Sequence, residues 1–162
     1  MVAFNDIFYS MAFLGIVAAG GIFSGVNPSY TVFELVHAIR TADITHLLVE
    51  PAFLSKVLAA ASECSIPRSN VFPFDALGQA IPEGSGGQSW DVLQVDGEEA
   101  DWERFDDQRR SEETMVARLF SSGTTGVPKA LDISVWNFVG HLIMAIFARS
   151  KLTSFRLPST LW

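Results

Sequence analysis

The residues with the most chemical potential lie together in residues 121–130, which read SSGTTGVPKA. The stretch holds four hydroxyls, Ser121, Ser122, Thr124 and Thr125, two glycines, Gly123 and Gly126, and one cation, Lys129. These are the parts of a phosphate cradle. Glycines let the backbone turn so that its N–H groups converge into an anion-binding nest. Hydroxyls add neutral donors, and a lysine adds a point charge that reaches a phosphate oxygen. Ordinary surface turns use the same residue types, and composition by itself favours the turn. The spacing excludes the P-loop of NTPases, G-x-x-x-x-G-K-[ST]. Gly123 and Gly126 stand too close together, Lys129 follows Pro128, Ala130 replaces the required hydroxyl, and no helix starts at the lysine.

Other reactive side chains are scattered. His37, His46 and His141 are far apart and show no HExxH or paired-ligand spacing, so each reads as a helix or strand histidine, and no metal site is expected. The one cysteine, Cys64, has no partner for a disulfide, fits a reducing compartment and reads as a partly buried structural thiol. Trp136 and Phe138 read as packing residues, with the border of a ligand pocket as the alternative. No residue is assigned a catalytic role. A formal net charge of −7 offers no basic face, so nucleic acid is not an expected partner.

The elements that must position the loop follow from periodicity. At 162 residues the chain is long enough for one domain. A helix is expected over about 6–19, a strand over 21–26 with Gly20 and Gly21 as the helix stop, and a helix over 30–42 capped by Thr31. A strand follows over 45–49, a helix over 52–63 and a strand over 70–74 weakened by Pro73. This alternation implies parallel strands with crossover helices, an α/β fold. Residues 81–89 are loop-like. The acidic segment at about 96–113 reads as a solvated loop or surface helix that does not fold over the Gly/Ser/Thr loop. A strand over 115–120 feeds that loop, and a short strand over 130–133 returns beside it. Ser134 then caps a helix to about 150, with Val135, Phe138, Val139, Leu142, Ile146 and Phe147 on its apolar side. Residues 151–162 form an unpatterned tail.

Mean hydropathy is +0.28 with 49% hydrophobic residues, which points to faces made to be covered or to a membrane segment. Residues 7–26 carry no charge and are long enough to span a bilayer. No Lys or Arg precedes them and small residues dilute them, so a buried helix and strand is the favoured reading and a membrane span the alternative.

The run LFSSGTTGVPKAL resembles the signature loop of the adenylate-forming, AMP-binding superfamily of acyl-CoA synthetases, adenylation domains and luciferases. Its usual form is [ST]-[ST]-G-[ST]-[ST]-G-x-P-K-G, and Ser121 through Lys129 match it without a gap. Upstream, FLGIVAAGGIFSGVNPSYTVFEL resembles the helix–strand–turn segment of 4-coumarate–CoA-ligase-like members. The resemblance implies that residues 1–150 are a partial AMP-binding domain, an incomplete piece of the large N-terminal α/β domain with a partial parallel-rich sheet and crossover helices. It also implies that the apolar run is a buried element, with no membrane span. In such enzymes a carboxylic acid attacks the α-phosphate of ATP, with Mg2+ in the complete enzyme, and the acyl group then commonly passes to CoA. By resemblance, Ser121, Ser122, Thr124 and Thr125 donate hydroxyls to phosphate, Gly123 and Gly126 supply flexibility and N–H groups, and Lys129 neutralises or positions the loop.

The departures are specific. Ala130 replaces the family's glycine, Val135 stands where S-H-x-N has its histidine, and Leu161 stands where L-P-x-[FY]-H expects one. The later adenine, ribose and magnesium motifs, the C-terminal domain and the earliest strands are not in this sequence. The expected function is therefore a fragment of an ATP-dependent acyl-activating ligase, inactive by itself. The alternative is a non-catalytic remnant that binds nucleotide or a partner weakly. The expected compartment is cytoplasmic, or peroxisomal for a full-length relative.

Overall fold

In a computed structural model, residues 1–5, 7–82, 88–94, 101–121 and 128–153 are described, with side chains to residue 149. The described elements are α1 (Ile7–Ala18), α2 (Val32–Thr41), β1 (Leu47–Val49), α3 (Leu54–Glu63), β2 (Val71–Pro73), α4 (Gln108–Glu113), β3 (Met115–Ser121), β4 (Lys129–Ser134) and α5 (Val135–Thr153).

β1 and β2 pair in parallel, Leu47 opposite Val71 and Val49 opposite Pro73. β3 and β4 pair antiparallel. Two short extended stretches join these pairs. Val2 N–H donates to Leu48 O at 2.8 Å, and Glu50 N–H returns to Val2 O at 2.9 Å. The Met1 amine donates to Ser24 O at 2.6 Å, and Val26 N–H donates to Met1 O at 2.9 Å. Phe23 N–H donates to Val116 O at 2.9 Å, and Arg118 N–H to Phe23 O at 2.8 Å. The bridges at Val2–Val49 and Phe23–Ala117 are both parallel. The hydrogen-bonded order is thus β2, β1, residues 1–3, residues 23–26, β3, β4, with one antiparallel step at the end. The parallel-rich sheet with crossover helices expected from the sequence is observed.

Side chains alternate across this sheet, as strand geometry requires. Val2, Leu47, Val49 and Val71 face one core with Leu35 and Ile39 of α2 and Val57 and Ala60 of α3. Met1, Ala3, Leu48 and Phe74 face the other with Ala12 of α1, and Phe8, Tyr9, Phe13 and Ile16 pack against it. The outcome is three layers, helix on both faces of a mostly parallel sheet.

Local signals explain the element ends. Thr31 and Glu34 form a reciprocal capping box on α2. α1 stops at Gly20, which takes φ +76° while Gly21 N–H reaches back to Ile16 O at 2.8 Å. α2 and α3 end instead on Asp43 (φ 52°) and Ser65 (φ 58°), left-handed positions without a glycine. At Gly25 a Cβ would lie 2.6 Å from the Tyr9 hydroxyl oxygen, so a side chain there would displace the end of Tyr9. Lys56 of α3 donates to the carbonyls of Pro28 and Tyr30 and so fixes the turn before α2.

Two expectations change. α5 runs through Thr153, so residues 151–153 are helix rather than tail. Its expected apolar side is covered only at Val135 and Phe138. Val139, Leu142, Ile146, Phe147 and also Trp136 are exposed. No helix among the described residues is long and apolar enough to cross a membrane.

The Met1 amine sits inside the sheet, and burial pushes its pKa down from 8.0 to about 5. The unfolded chain binds this proton across that interval and the folded chain does not, so stability rises with pH between about 5 and 8. Urea midpoints should fall as pH is lowered from 8 to 5, and a chain extended ahead of Met1, with a peptide N–H in place of the ammonium, should lose that dependence.

Candidate functional site

The loop-bearing hairpin is built from β3 and β4. Their register pairs Phe120 with Ala130 and Ser121 with Lys129, the last pair before the connection. Ser121 and Lys129 therefore stand opposite each other at the hairpin mouth, one cross-strand step apart. Ser122, Gly123, Thr124, Thr125 and Gly126 lie outside the described residues.

Beneath the mouth is a solvent-open cleft of about 510 Å³, lined by His37, Thr41, Asp43, Arg118, Pro128, Lys129, Ala130 and Asp132. α2 forms one wall and the hairpin the other. Arg118 organises it. Its Nε donates to Asp132 Oδ1 at 2.6 Å and its second terminal nitrogen to Oδ2 at 3.3 Å, a two-pronged contact between register partners. Its other terminal nitrogen donates to Ala42 O at 3.1 Å and Asp43 Oδ2 at 3.2 Å, at the C-terminal end of α2. A guanidinium suits that position, where helix carbonyls lack intrahelical donors. The hydrogen bond from Arg118 holds the Asp132 carboxyl below the usual range, and the same contact raises the Arg118 pKa further.

Closer to the mouth, His37 Nε2 lies 3.2 Å from Pro128 O. None of the ion pairs among the described residues involves Lys129, and its side chain is exposed. With Arg118 committed to two carboxylates, Lys129 is the cation offered to an anion there.

Sequence reasoning singled out Ser121 and Lys129 and missed His37, Arg118, Asp43 and Asp132. Arg118 and Asp132 stand at ordinary strand positions, and His37 is 91 residues from its partner Pro128, so spacing carried no signal for them. The other candidates stay apart. His46 stacks on Phe72 at 6.4 Å, His141 is exposed on α5, and Cys64 is half-buried with Sγ 3.8 Å from Val36 O. In the SVWN segment, Asn137 N–H donates to Ser134 Oγ at 3.3 Å and Ser134 Oγ–H to Asn137 Oδ1 at 2.9 Å, which is helix-cap chemistry. Val135 between them is buried. The acidic segment also forms a helix start, with Asp107 Oδ1 accepting from Arg110 N–H at 2.8 Å, and its residues 96–100 lie outside the described residues. Among the described residues no three His, Cys, Asp or Glu side chains gather to hold a metal ion.

The family model for AMP-binding enzymes matches residues 1–156. The chain belongs to the AMP-binding enzyme family. An acyl-CoA synthetase of Alternaria alternata is 44% identical over 152 residues, 93% of this chain and 26% of that protein. A phenylacetyl-CoA ligase of Aspergillus niger is 42% identical over 139 residues, 86% of this chain and 26% of that one. The chain thus spans about a quarter of these relatives. Among solved structures, a luciferase-like enzyme of Zophobas morio superposes with a TM-score of 0.64 at 18% identity, covering 82% of this chain and 29% of that one. ATP-bound MatB of Rhodopseudomonas palustris gives 0.58 at 22% identity, with 85% and 24% covered. Both structures share the fold described above.

The Arg118 contacts set a stability expectation. The side chain is 21% exposed and its partners are more so, so solvent screens the ion pairs. Arg118→Met should cost about 1 kcal/mol in a urea titration. Arg118→Lys should recover little of it, because an ammonium cannot fork Asp132 while reaching Ala42. The Asp132 contribution is present above the ordinary Asp pKa of about 3.9 and is lost as pH falls through its lower folded value. A carboxyl-carbon NMR titration should place Asp132 below the ordinary value in the parent chain and near it in the Met variant.

Proposed function

We propose that residues 1–150 form the phosphate-gripping part of an ATP-dependent acyl-activating ligase. The reaction class joins a carboxylic acid to ATP. A carboxylate oxygen bonds to the α-phosphorus, the bond from that phosphorus to the bridging oxygen breaks, and pyrophosphate leaves with the electron pair. Thioester formation with CoA follows, with AMP released. The observation that carries this reading is the hairpin mouth: Ser121 and Lys129 face each other across the ends of the signature loop, on a hairpin secured to α2. The names of the relatives, acyl-CoA synthetase and phenylacetyl-CoA ligase, support the acyl-CoA class, and the ATP-bound neighbour supports the nucleotide.

The role assigned to these residues is electrostatic. Lys129 sets a positive charge, and the loop its hydroxyl and N–H donors, where pyrophosphate gathers negative charge as it leaves. The described residues hold no ligand set for magnesium, so no step is assigned to it. One loop does not supply the orientation of two substrates that adenylate formation needs. The 162 residues by themselves are therefore expected to bind phosphate without turnover.

Two measurements test this. Carboxylate-dependent exchange of labelled pyrophosphate into ATP should be absent for the 162-residue chain, and exchange above background would overturn its inactivity. Pyrophosphate should nonetheless broaden and shift its 31P resonance on addition of the chain. Lys129→Met should weaken that binding about 5–10-fold, the loss of one charge-assisted contact. Equal affinity for both chains would remove Lys129 from the site.

A further inference from the structure

The contact between His37 and Pro128 is unused by the reading above. Pro128 has no N–H, so the residue preceding Lys129 meets the rest of the protein through its carbonyl. That carbonyl only accepts, and His37 Nε2 is 3.2 Å from it. Nε2 must then carry a hydrogen, whichever form Nδ1 takes. Thr41, one helical turn along α2, brings its Oγ1 to 3.4 Å from the same nitrogen. The ring is half-buried between helix and hairpin.

We propose that His37 is a positioning residue for the phosphate loop: by donating to Pro128 O it fixes the foot of the loop, and with it the direction in which Lys129 is presented. Arg118 secures the same hairpin lower down, through Ala42 O at the end of α2. The two contacts play different parts. Arg118 joins strand to helix, while His37 acts one residue from the phosphate-facing cation. For its ligand this proposal rests on the phosphate-loop reading, but the contact itself does not.

The test uses the 162-residue chain with two substitutions. His37→Phe keeps a planar ring and removes the donor. His37→Gln keeps an N–H at similar reach. Hydrogen exchange followed by mass spectrometry should show amides of β4 exchanging at least fivefold faster in His37→Phe, close to the parent rate in His37→Gln, with β1 and β2 unchanged in both. Equal β4 rates in all three chains, or acceleration spread evenly over β1 and β2, would overturn the proposal by making His37 a packing residue.

Inorganic pyrophosphate binding, read by 31P NMR, should weaken at least threefold in His37→Phe and recover in His37→Gln. Faster β4 exchange with unchanged pyrophosphate affinity would overturn the link to phosphate. A parent chain that binds no pyrophosphate at all would sink the phosphate reading, while the exchange comparison still decides whether His37 holds the loop's foot.

Discussion

Two short backbone stretches hold this structure together. Residues 1–3 and 23–26 carry the hydrogen bonds that join β1 and β2 to β3 and β4. Neither stretch is a regular strand of its own, yet each is bonded on both sides. Because Val2 faces the α2–α3 core and Met1 and Ala3 face the α1 core, the same three residues tie both helical layers to the sheet. A shift of one residue in that ladder would exchange the two cores. Everything nearer the candidate site is placed relative to it.

The hairpin is the outermost part of that order and the one that bears the candidate site. Its antiparallel step lets two strands leave and return over a short connection, which a parallel pair cannot do. The ends of the loop are thus set by a ladder, Ser121 against Lys129. The strands in turn are fastened to α2 by Arg118 and by His37. The reach of α2 is fixed at its own start by the Thr31–Glu34 capping box and by Lys56 gripping the turn before it. Charge is distributed along the same line: Arg118 is satisfied by Asp43 and Asp132, so the exposed cation is at the mouth, next to the loop.

A second character of the molecule is the apolar surface of α1 and α5. Met11 and Leu14 on α1, and Ile143, Met144 and Phe147 on α5, are each more than half exposed. Phe13 and Phe138 meet at 5.0 Å and join the two helices. Such surface explains why mean hydropathy is high for a chain with a net charge of −7.

Most of the architecture was legible in the sequence, because short-range physics decides it. Helical spacing in α2 and α3, β-rich runs at 45–49 and 115–120, and the Ser134 cap each follow from neighbours a few residues apart. The nine matching positions of the loop identified the family. What sequence could not show depended on distant contacts. Glycine does not end α2 or α3, because Asp43 and Ser65 accept left-handed backbone there. The periodic apolar side of α5 gave helix but not burial, since burial needs a covering element and periodicity names none. Sequence by itself determined most element types and the family, and it singled out Ser121 and Lys129 as candidates. Only the tertiary structure decided that His37 and Asp43 meet the hairpin of Arg118 and Asp132 at the foot of that loop, because hydrogen bonds between residues 75 to 91 positions apart leave no mark in local spacing.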